Sequence, residues 1–153
     1  MHRMPSTHSL PTFKLMSETL AHTRLVAVIV NWVKAKHSAT PGLCLFCDCP
    51  TVLETEKPSP IEGFFPDVCA LTTPPALTIL GEAKTLPDLE SSRSFQQVVA
   101  FLRFLAARPQ PGLVIATPWQ GMATARNIIA LARRESRAKD VQVHFLTDQA
   151  ALC

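Results

Sequence analysis

The chain contains no tyrosine, and its five cysteines are an odd number. An odd count without an export signal argues against a disulfide framework. No apolar run approaches the ~20 residues that a membrane-spanning helix requires. A second C-x-x-C pair, which would make a zinc-binding reading strong, is missing. Internal repeats and long low-complexity tracts are also absent. The first stretch, MHRMPSTHSLPTFK, has no hydrophobic centre and does not read as a secretory signal. It is expected to form a flexible leader (1–14) before a single domain (15–153), with a cytoplasmic location as the default.

What is present is enough for one core: 153 residues, of which 47% are apolar. The net charge of +3 is weak, but its distribution is uneven. From Arg93 onward, eight basic residues face only Glu135, Asp140 and Asp148. That asymmetry suits a polyanionic partner, although an ordinary solvated face has the same composition.

The segment FPDVCALTTPPALTILGEAK, Phe65 to Lys84, carries the densest chemistry. Two runs rich in Val, Leu, Ile and Thr, Asp67 to Leu71 and Leu77 to Lys84, flank Thr-Thr-Pro-Pro, a connector that breaks both helix and strand. A hairpin centred between Pro74 and Pro75 pairs residues whose numbers sum to 149. Asp67 then faces Glu82, and the alternation of strand side chains puts Glu82 and Lys84 on one face. Directly opposed carboxylates are unfavourable in a ladder unless a cation lies between them. Mg²⁺ is held by one or two carboxylates and shares its shell with phosphate oxygens. The alternative is a surface hairpin whose Glu82 and Lys84 are merely solvated.

Pro66-Asp67 followed by Glu82-Ala83-Lys84 resembles the signature of the PD-(D/E)XK nuclease superfamily, the restriction-endonuclease-like fold. The resemblance implies an αβββαβ core in which Asp67, Glu82 and the Ala83 carbonyl bind Mg²⁺, with Mn²⁺ able to substitute, and Lys84 serves catalysis. It also implies an acid from the first core helix. Glu18 is the one acid in that segment, where it also reads as a simple helix N-terminal charge.

The rest of the chain supplies a matching order. Ser17 to about Lys36 is expected as a helix capped by Ser17, although Leu25 to Val30 is strand-like by propensity. His37 to Pro50 reads as a loop. Within it Cys44, Cys47 and Cys49 form C-x2-C-x-C, either a zinc group completed by His37 or Cys69, or reduced thiols packed as small hydrophobes. Thr51 to Glu56 alternates like a strand. Phe95, Val98, Val99, Leu102, Leu105 and Ala106 make an amphipathic helical stripe, capped by Ser91 or Ser92 and stopped by Pro109. Leu113 to Thr117 reads as a buried strand reached by a right-handed crossover. A further helix, about Met122 to Arg137, and a strand, Val141 to Leu146, follow. The expected fold is therefore an α/β restriction-endonuclease-like core with an added C-terminal helix and strand, its mixed sheet flanked by helices.

Gln97 lies on the helix after the E-A-K strand, where some exonuclease-like branches of the superfamily carry Q-x-x-x-Y. Here Phe101 occupies the tyrosine position, and Gln96 or a solvent-facing amide is an alternative reading. Arg93 sits where the chain leaves the active edge, with Asp88, Glu90 and Ser92, and serves either substrate contact or loop capping. Arg126, Arg133 and Arg137 recur along the penultimate helix and are expected to track a phosphate backbone. Trp119 is expected to pack. The resemblance implies a Mg²⁺-dependent endonuclease that hydrolyses phosphodiester bonds in nucleic acid, DNA ahead of RNA, with a homodimer or partner subunit supplying targeting. Two other classes stay open: a silent module of the same fold that binds nucleic acid or protein, and a zinc-stabilised interaction domain around Cys44 to Cys49.

Overall fold

The computed structural model describes residues 12–49 and 56–149, with side chains from Leu20 onward. Helix α1, Thr12–His37, opens the fold. It starts ahead of the expected Ser17 and takes in Thr12 to Lys14, which the sequence reading gives to the leader, because no helix breaker stands between Pro11 and Ser17. Leu25, Val26, Ile29, Val30 and Val33 form its buried stripe. Burial at helical spacing overrides the strand propensity of this β-branched run.

The expected loop after α1 is in part a strand. β1, Leu43–Cys47, pairs antiparallel with β2, Val68–Thr72, from Leu43 opposite Thr72 to Cys47 opposite Val68. Leu-Cys-Leu-Phe-Cys is an apolar run that gains a ladder on one side and a core on one face, which outweighs the loop signal of the cysteines. The strand expected at Thr51 to Glu56 lies outside the described residues except for Glu56, whose carbonyl accepts from the Cys47 N–H.

β3, Thr78–Ala83, completes the hairpin with β2, and Val68 opposite Gly81 keeps the expected register. A short helix, α2 (Leu86–Leu89), and a longer one, α3 (Ser92–Ala106), lead to β4, Pro111–Thr117. The Ser91 hydroxyl accepts from the Ser94 N–H and caps α3. A 3₁₀ turn, Trp119–Gly121, then joins β4 to α4, Met122–Ser136, and β5, Gln142–Thr147, follows.

Together the strands form one five-stranded sheet in the order β1-β2-β3-β4-β5. β3, β4 and β5 are parallel neighbours, and the β1 and β2 pairings are antiparallel, so the fold is α/β with a mixed sheet flanked by helices. α1 covers one face over Val68, Ala70, Ile79, Ala83, Val114 and Ala116. On the other face, Leu80, Leu113 and Ile115 lie beneath Phe101, Leu102 and Leu105 of α3 and Ile129 of α4. Phe101 is fully buried among apolar groups, so the ring at the tyrosine position is a packing element. The parallel strands all end on one edge of the sheet, the edge where ligands meet open α/β sheets. Among the described residues, no helix is long and apolar enough to cross a membrane.

Candidate active site

At that edge the β2–β3 ladder stops at Val68 and Gly81. The next pair in the same register is Asp67 and Glu82, so the carboxylates meet just beyond the last paired residues. Pro66, which the register sets opposite Ala83, has no N–H to offer the Ala83 carbonyl. Asp67 takes the place of the missing strand partner: its Oδ2 accepts from the Ala83 N–H at 2.9 Å. The same oxygen lies 3.2 Å from His22 Nε2 on α1.

Glu82 and Lys84 project from one face of β3, and both are buried. Lys84 Nζ lies 3.7 Å from Glu82 Oε2 and donates to Gln97 Oε1 at 2.5 Å. Gln97 Nε2 donates in turn to Glu82 Oε1 at 3.2 Å, with a longer 3.5 Å contact to the Phe65 carbonyl. The amide therefore bridges carboxylate and ammonium, its oxygen toward the cation and its N–H₂ toward the anion. Gln96, its neighbour, is exposed, which decides between the two glutamines.

Electrostatics follow from this packing. Burial, and then the adjacent Asp67 charge, push the Glu82 carboxyl well above the usual carboxylate range, against the opposing pull of Lys84. The hydrogen bond with Asp67 raises the His22 pKa, burial works against it, and the charges of Asp67 and Asp88 add to the rise. Asp88 itself caps α2, its Oδ2 accepting from the Thr85 N–H at 3.0 Å and the Thr85 hydroxyl at 2.8 Å. That is the capping role, not a phosphate contact.

The donor set suits a hard divalent cation: two carboxylates whose mutual repulsion a cation would relieve, and a main-chain carbonyl without a donor from Pro66. Among the described residues, no group of three or more His, Cys, Asp or Glu side chains is arranged as a metal site. Two carboxylates, one carbonyl and water meet the needs of Mg²⁺ without such a group. The Glu18 side chain, the further acid expected here, lies outside the described residues, although its backbone belongs to α1. His22 was not foreseen as a site residue. Its spacing of four from Glu18, one helical turn, is the signal that could have pointed to it.

Other expected residues fall elsewhere. Cys44 and Cys47 stand three apart on β1 and so point to opposite faces, with Cys44 exposed and Cys47 and Cys49 buried. The structure thus does not bring Cys44 to the other two. Burial first, then Cys49 beside it, pushes the Cys47 thiol up to about 12, while burial takes Cys69 to about 11. Arg93, at the start of α3, lies with its Cζ 5.3 Å from the Phe64 ring centroid. On α4, Arg126 stacks over Phe145 at 4.8 Å, whereas Arg133 donates to the Lys139 carbonyl at 3.1 Å. Arg137 lies past the helix, in a left-handed cap at φ 54°, and so leaves the stripe that Arg126 begins. Trp119 is exposed rather than packed. No protein-family model, curated protein or solved structure matches this chain.

Proposed function

We propose that this chain is a metal-dependent phosphodiesterase of the PD-(D/E)XK type, acting on nucleic acid with DNA as the expected substrate. The observation that carries the reading is the junction of Asp67, Glu82, Lys84 and Gln97 at the ends of β2 and β3, with the lysine buried beside the carboxylates. Support for the finer fold comes from element order. Setting the short α2 aside, α1, β1, β2, β3, α3 and β4 run in the αβββαβ sequence, and α4 and β5 extend it.

Asp67, Glu82 and the Ala83 carbonyl would hold the cation, which when bound supplies Lewis-acid polarisation of phosphate and a hydroxide near neutral pH. The protein does the positioning. Gln97 fixes the Lys84 ammonium, which offers a charge to the developing oxyanion from a buried position. His22, raised in pKa and partly open to solvent, orients Asp67 and stands as a proton acceptor or donor at the mouth.

A second reading, a silent module that binds without cutting, draws on one observation. Asp67 Oδ2 already accepts from the Ala83 N–H and faces His22, leaving Oδ1 to meet a cation. A cleavage assay with Mg²⁺ or Mn²⁺ over single-stranded, duplex, branched and RNA substrates separates the two. The nuclease reading expects cleavage by the wild type and none by Glu82→Ala or Lys84→Ala. Equal behaviour of wild type and Glu82→Ala on every substrate would leave only the binding module.

A further inference from the structure

Five large apolar side chains are exposed among the described residues, and three of them stand on the segments that frame the acid–lysine cluster. Phe65, 63% exposed, is two residues before Asp67. Leu86, 44% exposed, is two residues after Lys84, and Trp119, 56% exposed, is two residues after Thr117. The Lys84 N–H donates to the Ala116 carbonyl, so the segment that carries Trp119 leaves the sheet directly beside Lys84. Leu86 touches the same turn, since a Cβ added at Gly121 would lie 3.0 Å from Leu86 Cδ2. Phe65 therefore borders the cluster from the β2 side, and Leu86 and Trp119 border it from the β4 side.

The backbone that carries these rings is held in place. Backbone hydrogen bonds between Ile61 and Phe64 close the turn before Phe65, and Arg103 pins that turn to α3 through Glu62 at 2.8 Å. Pro66 is buried, Gln97 reaches the Phe65 carbonyl, and the Trp119 N–H donates to Asp148. A pinned backbone presenting a bare aromatic ring on each side of a polar site suits a flat, stackable partner, because such a ring left in water stabilises nothing in the free protein.

We infer that the site takes an unpaired segment of a nucleic-acid strand, with one base stacked on Phe65 and another on Trp119 on either side of the phosphodiester at Asp67, Glu82 and Lys84. The inference deepens the phosphodiesterase reading and rests on it for the identity of the group between the rings. Adjacent strands lie about 4.8 Å apart, so β2 and β4 set the two rims on the order of 10 Å from each other, a span of a few nucleotides. A closed duplex offers phosphate and sugar at its surface and keeps its base faces stacked inside. Bare rings find partners only where bases are unstacked. Charge fits the same occupant: Arg93 stands exposed on the β2 side, over Phe64. On the other side, Arg24 lines a cleft of about 460 Å³ with Ala21, Pro118 and Asp148. An apolar protein partner would prefer one continuous patch, and here the apolar groups are divided by buried charge.

The test uses a fluorescein-labelled oligothymidylate of about 12 nucleotides, within the reach of one binding module. An abasic strand of the same length and charge, and a blunt duplex, serve as comparators, all without divalent cation and at low salt. Wild type is expected to bind the base-bearing strand about tenfold or more tighter than the abasic one. Phe65→Ala and Trp119→Ala should each erase about tenfold of that preference, as base–aromatic stacking predicts, while Leu131→Ala, exposed but distant on α4, should leave it unchanged. In a Trp32→Phe chain, Trp119 is the one remaining indole, and its fluorescence should be quenched by the base-bearing strand only. Equal affinity for base-bearing and abasic strands, or ring variants that bind as wild type does, overturns the inference. That result is also the one a protein-covered rim would give. Cleavage with Mg²⁺ is scored separately. Base-dependent binding without cleavage sinks the nuclease reading and keeps the rim, and cleavage indifferent to bases does the reverse.

Discussion

His22 Nε2 lies 3.2 Å from Asp67 Oδ2, so the first helix is joined to the end of β2 at the one carboxylate that also stands in for a strand partner. This contact connects packing to chemistry: the helix that covers one face of the sheet also fixes the orientation of the acid. The pairing gives a first prediction with a definite sign. A histidine whose folded pKa is raised contributes stability below its unfolded value, near 6.5, and loses it as pH rises through the folded value. His22→Ala should therefore be destabilised relative to wild type at pH 6, by under about 1 kcal/mol because the pair is partly exposed. Near pH 9 the two proteins should unfold at the same denaturant concentration. A difference that grew with pH would show that the ring is held neutral instead.

Glu82 has the opposite consequence for the metal-free protein. Its folded pKa is raised, so below the unfolded value, near 4.3, both states are protonated and nothing is lost. As pH climbs, the unfolded chain ionises first and folding becomes less favourable until pH passes the folded value. Burial and the Asp67 charge outweigh the attraction of Lys84, and a glutamine keeps an oxygen for Gln97. Glu82→Gln should thus melt above wild type at pH 8 in a chelator and match it near pH 4. Added Mg²⁺ should raise the melting temperature of wild type and leave that of Glu82→Gln nearly fixed.

Much of this site was legible because hairpin register is arithmetic. Once the two prolines fix the turn, the strand period sets Asp67 against Glu82, and the observed ladder follows the same sum. The stripe from Phe95 to Leu105 fixed α3 in the same way, since its period matches one helical face. What pattern could not show were contacts between elements far apart in the chain. His22 meets Asp67 across 45 residues, and its spacing of four from Glu18 is the one local hint of it. β1 was hidden because three cysteines looked like loop chemistry, while pairing with β2 made Cys44 and Cys47 part of a strand. Trp119 was misjudged for a related reason: a tryptophan next to a buried strand usually packs, and here the turn after β4 carries it outward.

Lys84 and Gln97 should separate catalysis from fold. Lys84→Met removes a buried charge, and under the proposed function it should lower kcat by about 10²–10³ with little change in KM. Gln97→Leu leaves the lysine in place but removes its short 2.5 Å partner and the donor to Glu82. Unsatisfied buried groups then cost about 1–3 kcal/mol of stability, and activity falls because Lys84 is no longer fixed. Gln97→Glu restores an acceptor for Lys84 but adds a third carboxylate, so it should recover stability more than activity. Equal recovery of both would make Gln97 purely structural.

The arginines should divide by distance from the sheet edge. α4 runs back from the ends of the strands, so Arg137 lies about 16 Å further along its axis than Arg126. Arg93→Gln and Arg126→Gln should each weaken binding of a single-stranded oligonucleotide and flatten its salt dependence by about one unit of slope. Arg133→Gln should affect stability instead, through the lost bond to the Lys139 carbonyl. Arg137→Gly should raise stability by a few tenths of a kcal/mol to about 1, because glycine suits the left-handed cap. Equal salt slopes for Arg126→Gln, Arg133→Gln and Arg137→Gly would return the phosphate contact to the whole of α4.

α1 packs tightly on the sheet at Gly81, and the fit is testable by volume alone. A Cβ there would lie 2.6 Å from Ile29 Cγ2 and 3.1 Å from Val68 Cβ, nearer than carbon atoms pack. Gly81→Ala must push α1 outward or twist Ile29 off its rotamer, at about 1–3 kcal/mol. Ile29→Ala alone opens a cavity and costs about 2–5 kcal/mol. Combined, the added methyl enters the space that the isoleucine vacates, so the double variant should be more stable than the sum of the single losses predicts. His22 rides on the same helix two turns earlier, and the clash should also loosen its contact with Asp67. Gly81→Ala should therefore reduce cleavage as well as stability, and the Ile29→Ala background should return part of both. Additive losses in the thermodynamic cycle would mean that Gly81 is set by something other than the approach of α1.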